Sequence, residues 1–210
     1  VETDVTLWGD DPALTKWLEG HGIKTHPLAA GDPSKREAIL IGRVPLAEDA
    51  AAWRGLVRQI AQGSTAVFLS PNAFKAGTNA LARVPLANKG NLGTCRGWLY
   101  RPDHWTKRHP IFDGLPSGGL MDYTLYRNMI TDVWWKGLEV PNELVAAGID
   151  ASFNYDAGVL LAVYRLGAGR IVLNTFSVCE QLGQDPVAEQ LLRNLLRYAS
   201  VGVSQPLADL

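Results

Sequence analysis

Apolar and polar positions alternate along the N-terminal third of the chain in a repeating order of short buried run and amphipathic stretch. Val5 to Trp8 is an apolar run leading into Gly9-Asp10-Asp11-Pro12, after which Leu14, Trp17, Leu18 and His21 share one helical face that Gly20 and Gly22 close. Ala38 to Gly42 predicts a second buried strand. Ala47 to Gln62 then carries Trp53, Leu56, Val57, Ile60 and Ala61 at the spacing of a core-facing helix, ended by Gly63. Thr65 to Leu69 predicts a third strand, broken by Ser70-Pro71-Asn72, and the His21-Gly22-Ile23-Lys24 segment predicts an edge strand. Strands alternating with helices imply right-handed crossovers and a parallel sheet.

The C-terminal pattern is as orderly. Val159 to Leu166 and Ile171 to Phe176 flank Gly167-Ala168-Gly169, which predicts a tight hairpin. Asp185 stands as an N-cap before Pro186, and Val187, Leu191, Leu192, Leu195 and Leu196 recur at helical spacing, with Arg193 and Arg197 toward the end. A helix closing onto a sheet follows. Between Val84 and Pro141 no period persists, and Gly, Pro, Trp, Tyr and His crowd together. This predicts an elaborated insertion, residues 84–141, folded over one end of the sheet within a single domain of residues 1–210.

Composition narrows the field. At 210 residues and 47% hydrophobic content the chain can bury a full core. Twenty Lys and Arg against twenty-one Asp and Glu give a net charge of -1, and no basic cluster is interleaved with aromatics, so nucleic acid is a poor partner. The two cysteines, Cys95 and Cys179, lack C-x-x-C spacing, which argues against zinc and leaves one disulfide open. No run reaches the length of a membrane span, and no signal peptide is visible. Localisation stays open; a removed leader would make the chain secreted or periplasmic.

Two phrases point to a family. His109-Pro110-Ile111-Phe112-Asp113-Gly114-Leu115-Pro116 and Tyr164-Arg165-Leu166-Gly167-Ala168-Gly169-Arg170-Ile171-Val172 resemble phrases of the class I glutamine amidotransferase-like superfamily, in its flavodoxin-like branch. That branch includes ThuA-like domains and domains appended to glycoside hydrolases, notably of family 2. The resemblance implies a parallel sheet flanked by helices; with the C-terminal β-hairpin, closing helix and aromatic-rich insertion read above, the expected fold is a three-layer flavodoxin-like α/β domain with a mostly parallel sheet. It also implies, often, a non-catalytic role.

The candidate chemistry is thin. Gly93-Thr94-Cys95-Arg96-Gly97 has the Gly-x-Cys-x-Gly spelling of an amidotransferase elbow. Yet a polar, glycine-containing segment precedes it, no helix follows, and no histidine stands after the last core strand in Asn174-Thr175-Phe176-Ser177-Val178-Cys179-Glu180. Asp103, His104, His109 and Asp113 fall in one segment and are the right types for metal or acid-base work, but their spacing fits no regular element. No metal or cofactor is expected. Glycine phrases such as Gly118-Gly119 lack a nucleotide-binding pattern. Of the seven tryptophans, Trp8, Trp17 and Trp53 read as core, while Trp98, Trp105, Trp134 and Trp135 are open to three destinations: a small core of the insertion, an interface, or a carbohydrate platform.

In open parallel sheets ligands bind beyond the carboxyl ends of the strands, here Gly9-Asp10, Gly42-Arg43, Ser70-Pro71-Asn72 and Asn174-Thr175-Phe176-Ser177. The ligand contacts expected are Asn72, Trp98, His104, Trp105, His109, Asn174 and Ser177, with no catalytic residue. The reading is an accessory domain without catalysis, part of or partner to a carbohydrate-active protein and serving packing, oligomerisation or weak sugar contact. The alternatives are a small ThuA-like enzyme of sugar metabolism, using His104 or His109 with Asp103 or Asp113, and a glutaminase with Cys95 as nucleophile.

Overall fold

The computed structural model describes residues 4–28, 34–43, 50–94, 101–151 and 155–208. Its centre is a sheet whose first half is parallel. Strands β1 (Val5–Trp8), β2 (Thr25–Pro27), β3 (Ala38–Ile41) and β4 (Thr65–Phe68) are joined in order β2-β1-β3-β4, and β11 (Gly169–Asn174) lies parallel beside β4. The remaining strands are antiparallel: β10 (Asp156–Leu166), then β9 (Glu143–Asp150), β6 (Asp103–Thr106) and β7 (Gly119–Leu120). A ribbon of β5 (Lys89–Thr94) and β8 (Val133–Leu138) joins β10 at Val159 opposite Trp135.

The core strands are continuous apolar runs because helices cover both faces. Helices α1 (Pro12–Gly20) and α5 (Pro186–Ala199) bury Leu14, Trp17, Leu18, Leu191, Leu192 and Leu195 on one face. Helix α2 (Ala50–Ala61) buries Leu56 and Ile60 on the other. The three-layer arrangement expected from the sequence is therefore present. The start expected for α2, at Ala47, lies outside the described residues.

Local chemistry fixes the boundaries. The Asp11 carboxylate accepts from the Leu14 N–H at 3.3 Å and Pro12 occupies the first turn, as Asp185 accepts from Val187 N–H at 2.9 Å ahead of Pro186. The β10–β11 hairpin turns through Gly167 at φ +60, and the Ala168 N–H bonds the Ala61 carbonyl at 2.8 Å, so the turn docks on the end of α2. The edge strand forms at Thr25–Pro27, directly after the His21–Lys24 segment expected to supply it, because Gly22 at φ +70 and the Ile23 N–H bonding Leu18 O still belong to the helix terminus.

The segment 84–141 contributes strands to the common sheet. It holds β5, β6, β7, β8 and the short α3 (Tyr123–Tyr126); a second short helix, α4 (Val178–Gln181), lies between β11 and α5. Trp134 and Trp135 are fully buried, each in one of the two cores that flank the sheet, so neither is a carbohydrate platform. Trp98 lies outside the described residues.

Candidate functional site: a cleft at the carboxyl ends of β4 and β11

The order β2-β1-β3 places the reversal of strand order between the parallel strands β1 and β3, where an open α/β sheet usually leaves a ligand crevice. In this protein an internal ion pair occupies that position. Asp11, 3% exposed, accepts from the Arg43 N–H and Nε, both at 3.1 Å, and from Nη2 at 3.3 Å. Burial alone would raise the Asp11 carboxyl, but hydrogen bonds from the Arg43 side chain and backbone and from Leu14 outweigh it and hold the carboxyl below its usual range. An ideal Cβ on Gly42 would sit 2.7 Å from Asp11 Cβ, so glycine at 42 lets the pair close.

A cleft does open two strand positions further along, beyond β4 and β11. It encloses about 160 Å³ between Ser70-Pro71-Asn72, Thr175-Phe176-Ser177, Thr131, Val133 and Glu180. Two of the four chain corners expected from the sequence thus meet. Ser70 ends β4 and caps a single 3-10 turn, its hydroxyl accepting from Asn72 N–H at 3.3 Å. Asn174 ties the corners together: its amide donates to Leu69 O at 3.1 Å and Phe176 O at 3.0 Å and accepts from Phe176 N–H at 3.1 Å. Buried and fully engaged, Asn174 frames the cleft and does not line it. Thr175 is likewise occupied by Leu160 O, and Thr131 by Thr175 O. That leaves the Asn72 amide, the Ser177 hydroxyl and the Glu180 carboxylate facing the opening; Glu180 stands 3.9 Å from Arg43 Nη1.

The other expected contacts are elsewhere. His109 lies at the opposite end of the sheet, and its ring is saturated. Its Nδ1 accepts from Ile111 N–H at 3.2 Å, which leaves the proton on Nε2 to donate to Glu143 at 2.7 Å. The Tyr198 hydroxyl donates to the second Glu143 oxygen at 2.8 Å, and the Arg170 guanidinium lies 4.7 Å from the Tyr198 ring. His109 therefore has no free lone pair to act as a base, and its side chain is only 12% exposed. The phrase it opens is a structural anchor. Ile111 and Phe112 plug the α1–α5 core, and buried Asn194 of α5 donates to the carbonyls of Ile111 and Asp113 at 3.1 and 2.8 Å.

His104 and Trp105 are neighbours in β6 and face opposite sides of the sheet. His104 packs beside Gly148 and Trp134, and burial pushes its imidazole below the ordinary value, partly offset by Asp103 and Asp132. Trp105 pairs with Ala147 and Leu120 along a shallow groove at the sheet edge. Neither lines the cleft. Asp113 stands 3.7 Å from Arg197 in an exposed ion pair.

No nucleophile is assembled among the described residues. A nucleophile elbow holds its side chain on a strained turn, yet no described non-glycine residue has a positive φ, and Ser70, at the strand-to-helix position, is extended. Cys179 is a free, buried thiol that burial pushes upward, which makes it inert. Cys95 lies outside the described residues. No group of three metal-ligating side chains converges among the described residues, and no described helix is long and apolar enough to cross a membrane.

Sheet order, helix placement and hairpin closure define an α/β domain of flavodoxin-like, amidotransferase-like fold. Two solved structures share it: the cytoplasmic protein STM3548 from Salmonella typhimurium, with a TM-score of 0.53 and 10% identity over 95% of this chain and 99% of that one, and PurLQS from Thermotoga maritima, with a TM-score of 0.53 and 11% identity over 94% and 99%. The exo-beta-1,4-mannosidase Op5Man5 from Opitutaceae bacterium strain TAV5 aligns with all of this chain over 37% of its own length, at 14% identity and a TM-score of 0.48, too loose to bear on function. No family model matches the chain, and no curated protein matches it in sequence.

Proposed function

We propose that the chain is a non-catalytic amidotransferase-like domain that acts as an accessory part of, or partner to, a carbohydrate-active protein, through packing, oligomerisation or weak contact with a sugar. The observation that supports this most is the chemistry of the cleft. Asn72, Ser177 and Glu180 offer an amide, a hydroxyl and a carboxylate to a small polar ligand. They include no activated nucleophile with a base, and a single carboxylate cannot supply the acid and base pair of glycoside hydrolysis. The link to carbohydrate rests on the resemblance of the His109–Pro116 and Tyr164–Val172 phrases.

Two assays test it. The purified chain should hydrolyse neither glutamine nor nitrophenyl glycosides above buffer, and Cys95→Ser should leave that blank unchanged; turnover lost in Cys95→Ser would establish a glutaminase instead. Monosaccharides titrated by NMR should move the Asn72 and Ser177 amides weakly, and Asn72→Ala with Ser177→Ala should abolish the shifts. Shifts that survive the double variant would place the sugar contact elsewhere.

A further inference from the structure

A second concave site lies at the opposite end of the sheet from the cleft. Helices α1 and α5 lie on the same face and both stop near the amino ends of the parallel strands, since each runs back from a strand's carboxyl end. Between their last turns is a groove of about 450 Å³. Its apolar side is Ile23, Leu196 and Val201; its polar side is His21, Arg193 and Arg197.

The charges are unevenly answered. His21 holds the Trp17 carbonyl through Nδ1 at 2.7 Å and meets Glu189 at 3.9 Å. Arg197 meets Asp113 at 3.7 Å, with both side chains largely in solvent. Arg193 is different: its guanidinium lies over the Trp17 ring at 5.1 Å, with no hydrogen bond or ion pair to a described residue. The indole attracts the exposed cation, and the guanidinium donors stay unengaged by described residues, which suits a planar two-oxygen acceptor.

What the groove lacks also selects. Two helices end there, so the backbone presents carbonyls and no cradle of N–H groups; that field opposes any anion, a doubly charged phosphate more than a singly charged carboxylate, and only the arginine side chains offset it. One carboxylate matches one forked guanidinium, and three aliphatic side chains match a short hydrocarbon body. We infer that the groove between α1 and α5 binds a small organic monocarboxylate, Arg193 taking the carboxylate and Ile23, Leu196 and Val201 taking the apolar body. The ligand chemistry is shared by free acids and by the C-terminus of a polypeptide ending in an apolar residue.

NMR titration of the full chain with sodium hexanoate, hexanol and sodium phosphate tests this. Hexanoate should give saturable shifts of the Ile23, Leu196 and Val201 amides, with hexanol at least about tenfold weaker for loss of a charged hydrogen bond and phosphate at least about tenfold weaker for want of an apolar body. Arg193→Gln should weaken hexanoate by a similar factor. Val201→Glu, at a position 67% exposed and so tolerant of change, should do the same by repulsion without loss of fold. A tripeptide ending in Leu, compared with its C-terminal amide, tells the two natural sources apart. Absence of saturable hexanoate shifts, equal binding of hexanol or phosphate, or unchanged affinity in both variants would overturn the assignment.

Discussion

Gly148 and Gly158 face each other across β9 and β10, and the indole of Trp134 lies flat against them. A Cβ at Gly158 would stand 2.3 Å from Trp134 Cγ, so no side chain fits without moving the largest buried ring. Gly158→Ala should destabilise the chain by roughly 1–3 kcal/mol, the range of overpacked cores, read by thermal denaturation. Glu143 gives a second residue-scale expectation. Burial would raise its carboxyl, but the hydrogen bonds from His109 and Tyr198 prevail and lower it. Its stabilising share is then present above the unfolded carboxylate value and lost as pH falls through the lower folded value. Glu143→Gln should cost stability at neutral pH and flatten the acid limb of a urea-denaturation series; an unchanged limb would show that the cluster carries no net weight.

At the scale of elements, the three-residue strand β2 is too short to hold the edge by backbone bonds alone. A charge clamp assists it. His26 Nδ1 meets Asp4 at 2.9 Å and Nε2 meets the Thr6 hydroxyl at 3.0 Å, while that hydroxyl gives its only proton to Glu37 at 2.9 Å. Both ring nitrogens must therefore donate, which specifies the imidazolium. Burial would lower His26, yet Asp4 and Glu37 raise it overall. The sign is opposite to that of Glu143: the stabilisation is complete below the unfolded histidine value and disappears as pH rises through the higher folded one. Hydrogen exchange of the Val5 amide, bonded to Lys24 O, should accelerate across that rise beyond the intrinsic base-catalysed trend, and His26→Gln should remove the excess.

Legibility also divides by element. Strands β1, β3, β4, β11 and the Val159–Leu166 part of β10 were readable because their runs are largely apolar and buried on both faces, whereas the Asp156–Gly158 start of β10 is not. Strand β9, ELVAAGID, was not, since two alanines and a glycine carry little strand propensity and their role is to admit Trp134 from elsewhere. Strand β5, KGNLGT, is polar and glycine-bearing and owes its form to β8, distant in sequence. The cleft was half legible. The topological rule points to Asn72 and Ser177, whereas Thr131 and Val133 arrive through non-local packing and Glu180 on the helical turn that follows Ser177. Asn194 carries no signal in the helical spacing, although it is the residue that anchors the His109 phrase.

For the molecule as a whole, two ends of one sheet carry two unlike concavities: a small polar cleft framed by Asn174, and an aliphatic groove overlooked by Arg193. A ligand at either should leave the other unperturbed unless α5 itself shifts. The joint between the parallel and antiparallel halves has a further consequence. Strand β10 is eleven residues long, and the hairpin it makes with β11 is the seam at which both halves meet. The hairpin closes through a two-residue loop, so its contacts form early and with little loss of chain entropy, whereas every other pairing of these two strands spans a longer separation. The seam is therefore the natural nucleus of folding, and the amides of Val163, Tyr164 and Val172 should be the last in the chain to surrender their protons to deuterium.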